Sequence, residues 1–139
     1  MVTVYDVEAG KLVRAAAKKL EGMNISAPPW VGMVKSGAHC QRLPQDEKFW
    51  HIRCASLLRQ AYIHSPIGVS SLRTHYGGRK ARGVKPEEYR KSGGNMIRKG
   101  LQALEKAGFI TKKKVGRCLS PKGHAFLDGI AKEISGQKA

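Results

Sequence analysis

The residues in this chain that can do chemistry are mostly cations. Of 139 residues, 26 are Lys or Arg against ten Asp or Glu, for a net charge of +16 and a pI near 10.2. The excess is uneven: from Arg73 to Arg117, fourteen basic residues stand against three acidic ones, which puts +11 of the +16 in that stretch. Such a density points to a polyanionic partner. Two arginines are of special interest. Arg53 and Arg59 lie inside an otherwise apolar segment. A charged head cannot be buried unpaired, so each must meet an internal acid or snorkel outward to an external anion. Acids are scarce, which favours the anion.

Catalytic constellations are missing from the sequence. His51 and Cys54 are three apart and could touch on a helix, but a metal site needs more ligands and no CxxC pair exists. A Cys/His nucleophile would also need a cleft and an orienting group, so a structural histidine beside a packed cysteine is the expectation. Asp46-Glu47 and Glu87-Glu88 are sequence neighbours, which do not face each other across a substrate; they read as capping and solvation. Gly78 to Gly83 has the spacing of a phosphate-binding loop, but Val84 follows where a lysine is required and no helix follows. Gly93-Gly94-Asn95 opens a helix and could either seat a phosphate on free backbone N–H groups or simply allow a tight turn. No cofactor, metal or enzymatic activity is expected. Three widely spaced cysteines, Cys40, Cys54 and Cys118, suit free thiols in a reducing compartment. The chain has no apolar run of about 18 residues to span a bilayer and no signal-peptide pattern.

The elements that must position these cations follow from periodicity and punctuation. The centre is Phe49 to Ile63, with Asp46 as cap and Glu47 as a first-turn acid. Wound as a helix, it carries Trp50, Cys54, Leu57, Leu58 and Ala61 on one face and Phe49, Ile52 and Ile63 on the other, so other elements must surround it. Asp6 can cap a first helix to about Glu21 with Leu12, Val13, Ala16 and Leu20 inward, ended by Gly22. Ala27-Pro28-Pro29-Trp30 reads as the start of a short helix to Val34, with Trp30 as a core plug. Lys35 to Pro44 reads as a loop. A short helix is expected from Val69 to His75, then Tyr76-Gly77-Gly78 and a long basic loop with Arg79, Lys80, Arg82, Lys85, Arg90 and Lys91. Asn95 to Ala107 reads as a helix with Ile97, Leu101 and Leu104 inward and Arg98 and Lys99 elsewhere, ended by Gly108. Phe109–Lys112 and Arg117–Ser120 read as strands joined by a turn over Lys113, Lys114, Val115 and Gly116. Ser120-Pro121 caps a last helix with Phe126, Leu127, Ile130 and Ile134 as its apolar side.

Helix, short helix, helix and basic hairpin is the order of a winged helix-turn-helix. The fold class expected is therefore mainly α: one domain over 1–139, built around the central helix, with a winged-helix-like part at about 68–120 and a short β-hairpin wing. In a DNA reader the second helix of the pair enters the major groove, and Asn95–Ala107 has the polar groups for it. That supports an alternative, a winged-helix transcriptional regulator. Nineteen positions between His75 and Asn95 argue against simple groove docking, because the usual turn has three or four residues. A basic insertion there suits an irregular RNA surface read by shape and backbone.

The chain also resembles a known family. Pro29-Trp30, the run Phe49-Trp50-His51-Ile52-Arg53-Cys54-Ala55-Ser56, Gly68-Val69, Tyr76-Gly77-Gly78-Arg79, Arg98, Leu101-Gln102-Ala103-Leu104-Glu105, Gly116-Arg117-Cys118-Leu119-Ser120-Pro121-Lys122-Gly123 and Leu127-Asp128 carry it. The sequence is similar, from Val4 to about Ala131, to the eukaryotic and archaeal small-subunit ribosomal protein family numbered nineteen, which bacteria lack. Cys54 replaces a usual alanine and Gly94 a usual serine, and Glu88-Tyr89 stand near a common histidine. The resemblance implies a structural protein of the 40S-type subunit head, bound to small-subunit rRNA and its precursor beside neighbouring ribosomal proteins. It also implies a part in precursor maturation, with no membrane and no small-molecule substrate. The place implied is the cytoplasmic ribosome and, in a eukaryote, the nucleolus during assembly. The residues expected to face RNA are Arg53, Arg59, Arg79, Lys80, Arg82, Arg98, Lys99, Lys112, Lys113, Lys114 and Arg117. Trp30, Trp50, Gly77, Gly78 and Gly116 are expected to be structural.

Overall fold

A computed structural model describes residues 2–137 apart from Asn24, Ser26 and Glu47. Helices α1 (Ala9–Glu21), α2 (Phe49–His64), α3 (Val69–Tyr76), α4 (Gly94–Ala107) and α5 (Pro121–Gln137) alternate with two antiparallel hairpins. The first hairpin pairs β1 (Gly78–Arg82) with β2 (Lys85–Arg90); the second pairs β3 (Ile110–Lys113) with β4 (Gly116–Leu119). The mainly α, winged-helix-like class expected from the sequence is the class observed.

Helix α2 holds the centre because its apolar positions recur at helical spacing. Trp50, Cys54, Leu57, Leu58 and Ala61 are all buried, while Phe49, Ile52 and Ile63 on the other side are half-buried. It packs against α1, α4, α5 and β4. Each buried leucine contributes about 1.5–3 kcal/mol, a sizeable part of a net stability of about 5–15 kcal/mol. Leu12, Ala16 and Leu20 of α1, Ile97, Leu101 and Leu104 of α4, and Leu127, Ile130 and Ile134 of α5 complete the core as their periodicity predicts.

Three boundaries differ from the sequence reading. Asp6 does not cap α1; its carboxylate accepts the Thr3 N–H at 2.8 Å and closes a 3-10 turn over Val4–Asp6. Asp46 is not the cap of α2 either. Its side chain accepts the N–H of Lys48, the residue just before the helix, at 2.9 Å, and Glu47 lies outside the described residues. The stretch 29–33 is a pair of turns rather than a helix, with Val31 and Met33 N–H groups bonded three residues back. Pro28 and Pro29 lack N–H donors, and Gly32 turns to φ 92, which ends any helical run. Trp30 is consequently half-buried and stands edge-on to the fully buried Trp50, with ring centres 6.3 Å apart. Trp50, not Trp30, fills the core.

The largest difference is the expected basic loop after Tyr76, which is the β1–β2 hairpin. Gly83, at φ 70, makes its turn. Pro86 lies within β2, which pairs on one edge only, where a missing N–H is tolerated. Tyr89 anchors the hairpin by donating its hydroxyl to the Thr74 carbonyl at the end of α3. Gly77 permits this close approach: a Cβ there would stand 2.5 Å from both the Arg90 carbonyl and the Tyr89 hydroxyl. At the hairpin's base, Ser92 N–H bonds the Arg73 carbonyl and Gly93 N–H bonds the Ser36 carbonyl, at 3.0 and 2.9 Å.

The wing forms as its sequence predicts, shifted by one residue at each strand. Ile67, just before α3, forms a bridge with Arg117 on β4 through two backbone bonds of 2.8 and 2.9 Å. Gly116, at φ 145, makes room for it, since a Cβ would lie 2.7 Å from the Ile67 carbonyl. Ser120 caps α5 by accepting the Gly123 N–H at 3.2 Å.

Candidate nucleic-acid interface

Arg53 and Arg59, both half-buried on α2, lie near His75 and Tyr76 at the C-terminal end of α3. The Arg53 guanidinium lies over the Tyr76 ring at 4.1 Å and over Phe49 at 5.1 Å. A half-buried cation is thus held by two aromatic faces rather than by an acid. Burial lowers the Arg53 pKa, and the group stays charged because the starting value is so high. Tyr76 in turn is held by Ser56, whose hydroxyl is 2.6 Å from the phenol oxygen. Burial raises its pKa, so it remains a neutral platform.

Arg59 is also half-buried, and its Nε is buried with no hydrogen-bond partner among the described residues. Neither arginine lies within ion-pair distance of a carboxylate among those residues. Among the described residues the internal-acid alternative therefore finds no partner. His75 belongs to the same cluster. Burial first, then the nearby His64, Arg53 and Arg59, lower its pKa below the ordinary imidazole value.

The β1–β2 hairpin places Arg79, Lys80 and Arg82 beyond α3. Its arginines are lightly held: Arg79 pairs with Glu87 at 3.0 Å, and Glu88 bridges Arg82 at 3.2 Å and Arg90 at 2.9 Å. These acids are about half exposed, and such surface pairs contribute only about 0–1 kcal/mol. A phosphate can replace them at little cost. Gly78 lets the hairpin's start pack against the ring of His39, 3.0 Å from where its Cβ would be.

On α4, Arg98 is exposed and donates to Asn95 Oδ1 at 3.1 Å, and Lys99 is exposed beside it. On the wing, Lys112, Lys113 and Lys114 are all exposed. Arg117 is the exception among the expected RNA-facing residues. Its Nε donates to Glu105 at 2.6 Å and its side chain is only 14% exposed, so it ties the wing to α4. Sequence reasoning missed Tyr76, His75 and Tyr89. Arg53 and Tyr76 are 23 positions apart, and no local spacing joins them.

His51 and Cys54 are each engaged within the fold. The His51 Nε2–H donates to the Ile25 carbonyl at 2.8 Å. Burial pushes the Cys54 thiol up to about 12, which leaves it an inert packed group. Gly93 spends its N–H on Ser36, so the tight-turn reading accounts for that glycine.

The family model described as "Ribosomal protein S19e" matches residues 3–137. The chain belongs to the ribosomal protein S19e family. It is similar to the small ribosomal subunit protein eS19 of Aeropyrum pernix, at 44% identity over 96% of this chain and 90% of that protein. The eS19 of Haloarcula marismortui is 37% identical over 96% and 92%, and eS19A of Schizosaccharomyces pombe 36% over 94% and 92%. Membership makes the chain a structural ribosomal protein and not an enzyme. It also removes the transcriptional-regulator alternative, whose winged-helix order the S19e fold shares.

Proposed function

We propose that the chain is built into the small ribosomal subunit by binding rRNA through Arg53, Arg59 and the two basic hairpins. The cluster at Arg53 and Arg59 carries this reading. Two half-buried guanidinium groups stand near His75 and Tyr76 with no carboxylate at ion-pair distance among the described residues, in a chain of +16. A protein keeps such uncompensated charge where an external anion completes it. Arg79, Lys80 and Arg82 on the first hairpin, Lys112 to Lys114 on the wing, and Arg98 and Lys99 on α4 extend the surface. Arg117 acts from behind it, holding the wing in place. The location in the subunit head, the need for the protein in precursor rRNA maturation, and nucleolar assembly in a eukaryotic cell rest on the resemblance to the family.

A salt titration of the free protein with small-subunit rRNA tests the reading. Each phosphate neutralised releases counterion, so log affinity should fall with log salt by about 0.7 per contact on single strands. A slope of several units is expected; a slope near zero would contradict backbone-dominated binding. Sedimentation complements it: the protein should travel with small subunits at moderate salt, and depleting it should lead to accumulation of the rRNA precursor.

A further inference from the structure

A second surface feature has a different chemistry. Between α4 and the segment joining α1 to α2 runs a groove of about 750 Å³. Met23, Pro28 and Ala103 supply an apolar floor, and Lys99, Lys106 and Lys122 stand around it. Lys99, Ala103 and Lys106 share one side of α4 because they are spaced by four and three residues. Among the described residues no carboxylate lines the groove. Lys122 is fixed there: its Nζ donates to the Ala107 carbonyl at 2.9 Å and lies over the Phe109 ring at 4.9 Å.

Polynucleotide matches only half of this chemistry. Phosphates would suit the lysines, but single-stranded bases need an open aromatic face on which to stack. Trp50 and Phe109 line the groove while being only 2% and 1% exposed, and Lys122 covers Phe109. The apolar floor would gain nothing from a sugar-phosphate backbone. A polypeptide with acidic side chains set between apolar ones matches both the floor and the rim.

We propose that this groove receives an acidic, partly apolar segment of a neighbouring protein in the assembled subunit. The proposal rests on the ribosomal reading only in supplying such a neighbour; the groove's affinity for the segment is a property of the free chain. Lys99 stands where this face meets the RNA-facing surface, so the test leaves it unchanged.

The probe is a fluorescein-labelled synthetic peptide alternating leucine and glutamate, with a serine–glutamate peptide of equal charge as control. Binding to the full chain is followed by anisotropy. The leucine peptide should bind more tightly than the control. Ala103→Trp, which fills the groove, and Lys106→Glu, which reverses a rim charge, should each weaken it at least about tenfold, as a like-charge or steric mismatch predicts. A thermal melt checks that Ala103→Trp is folded, and Lys106→Glu, at an exposed site, gives a second route if it is not. The rRNA affinity of Ala103→Trp should stay unchanged. Equal binding of the two peptides, or no binding, would overturn the proposal. So would loss of rRNA affinity in Ala103→Trp, which would assign the groove to RNA. Failure of the ribosomal reading appears instead in the salt titration and sedimentation, whatever the peptides do.

Discussion

Basic residues that look alike in the sequence divide into two kinds in the fold. Arg117 sits among Lys112, Lys113 and Lys114, and nothing local separates it from them. Its partner Glu105 is twelve positions away, and only the packing of the wing on α4 joins them at 2.6 Å. The distinction has a measurable consequence. A fully buried pair broken on one side costs about 3–5 kcal/mol and an exposed one about 0–1 kcal/mol. Glu105→Ala, half-buried, should therefore cost about 1–3 kcal/mol, read as a lower melting temperature. Changing Lys113 and Lys114 to Ala should leave the melt unchanged and flatten the salt dependence of rRNA binding. His75 gives a second prediction at this scale. In the free protein its pKa lies below the ordinary value through burial and the nearby His64, Arg53 and Arg59. A phosphate at those arginines offsets the repulsion and raises it, so binding takes up a proton. Affinity should thus climb as pH falls from neutral through the imidazole range, about 6.5 and below, and His75→Asn should flatten that climb. Free-protein stability has the opposite sign. The unfolded chain takes the proton more readily, so acid erodes stability over the same window.

At the scale of elements, the helices were legible because burial imposes a period that the sequence records. Every inward position read from α2 and α5 is buried or half-buried. The β1–β2 hairpin was not legible, because β2 faces solvent throughout and the half-buried positions of β1 are Gly78, Lys80 and Arg82, which record no apolar alternation. Every residue of β2 is exposed. The hairpin is held instead by contacts far apart in sequence, Tyr89 to Thr74 and Gly93 to Ser36. Gly100 shows the converse, a residue whose reason lies wholly in packing. It sits on the buried face of α4, and a Cβ there would come 2.6 Å from Leu57 Cδ1 on α2. Helix propensity alone predicts that Gly100→Ala stabilises by about 1 kcal/mol. Overpacking two close helices costs about 1–3 kcal/mol, so packing should win. Gly100→Ala should unfold at lower urea concentration than the parent; a higher midpoint would mean that α2 and α4 separate easily.

For the whole molecule, the balance of charge and the resemblance to the S19e family were both readable before any coordinates. The direction in which the key arginines face was not. The sequence left Arg53 and Arg59 between an internal acid and an outside anion, and among the described residues the fold offers neither arginine an acid. Arg53 is instead stacked on Tyr76 and Phe49. The account therefore depends on two arginines whose charge is needed by the partner and not by the fold. Their alkyl stems do cover apolar surface, so some loss of stability accompanies any change. The most direct test is a paired measurement on Arg53→Glu and Arg59→Glu: a circular-dichroism melt of each isolated variant, and its recovery in small-subunit fractions after expression. The account predicts folded proteins that are excluded from subunits, because a phosphate contact has become a repulsion in a partly desolvated place. Variants that fold and are fully incorporated would contradict it and leave binding to the hairpins alone.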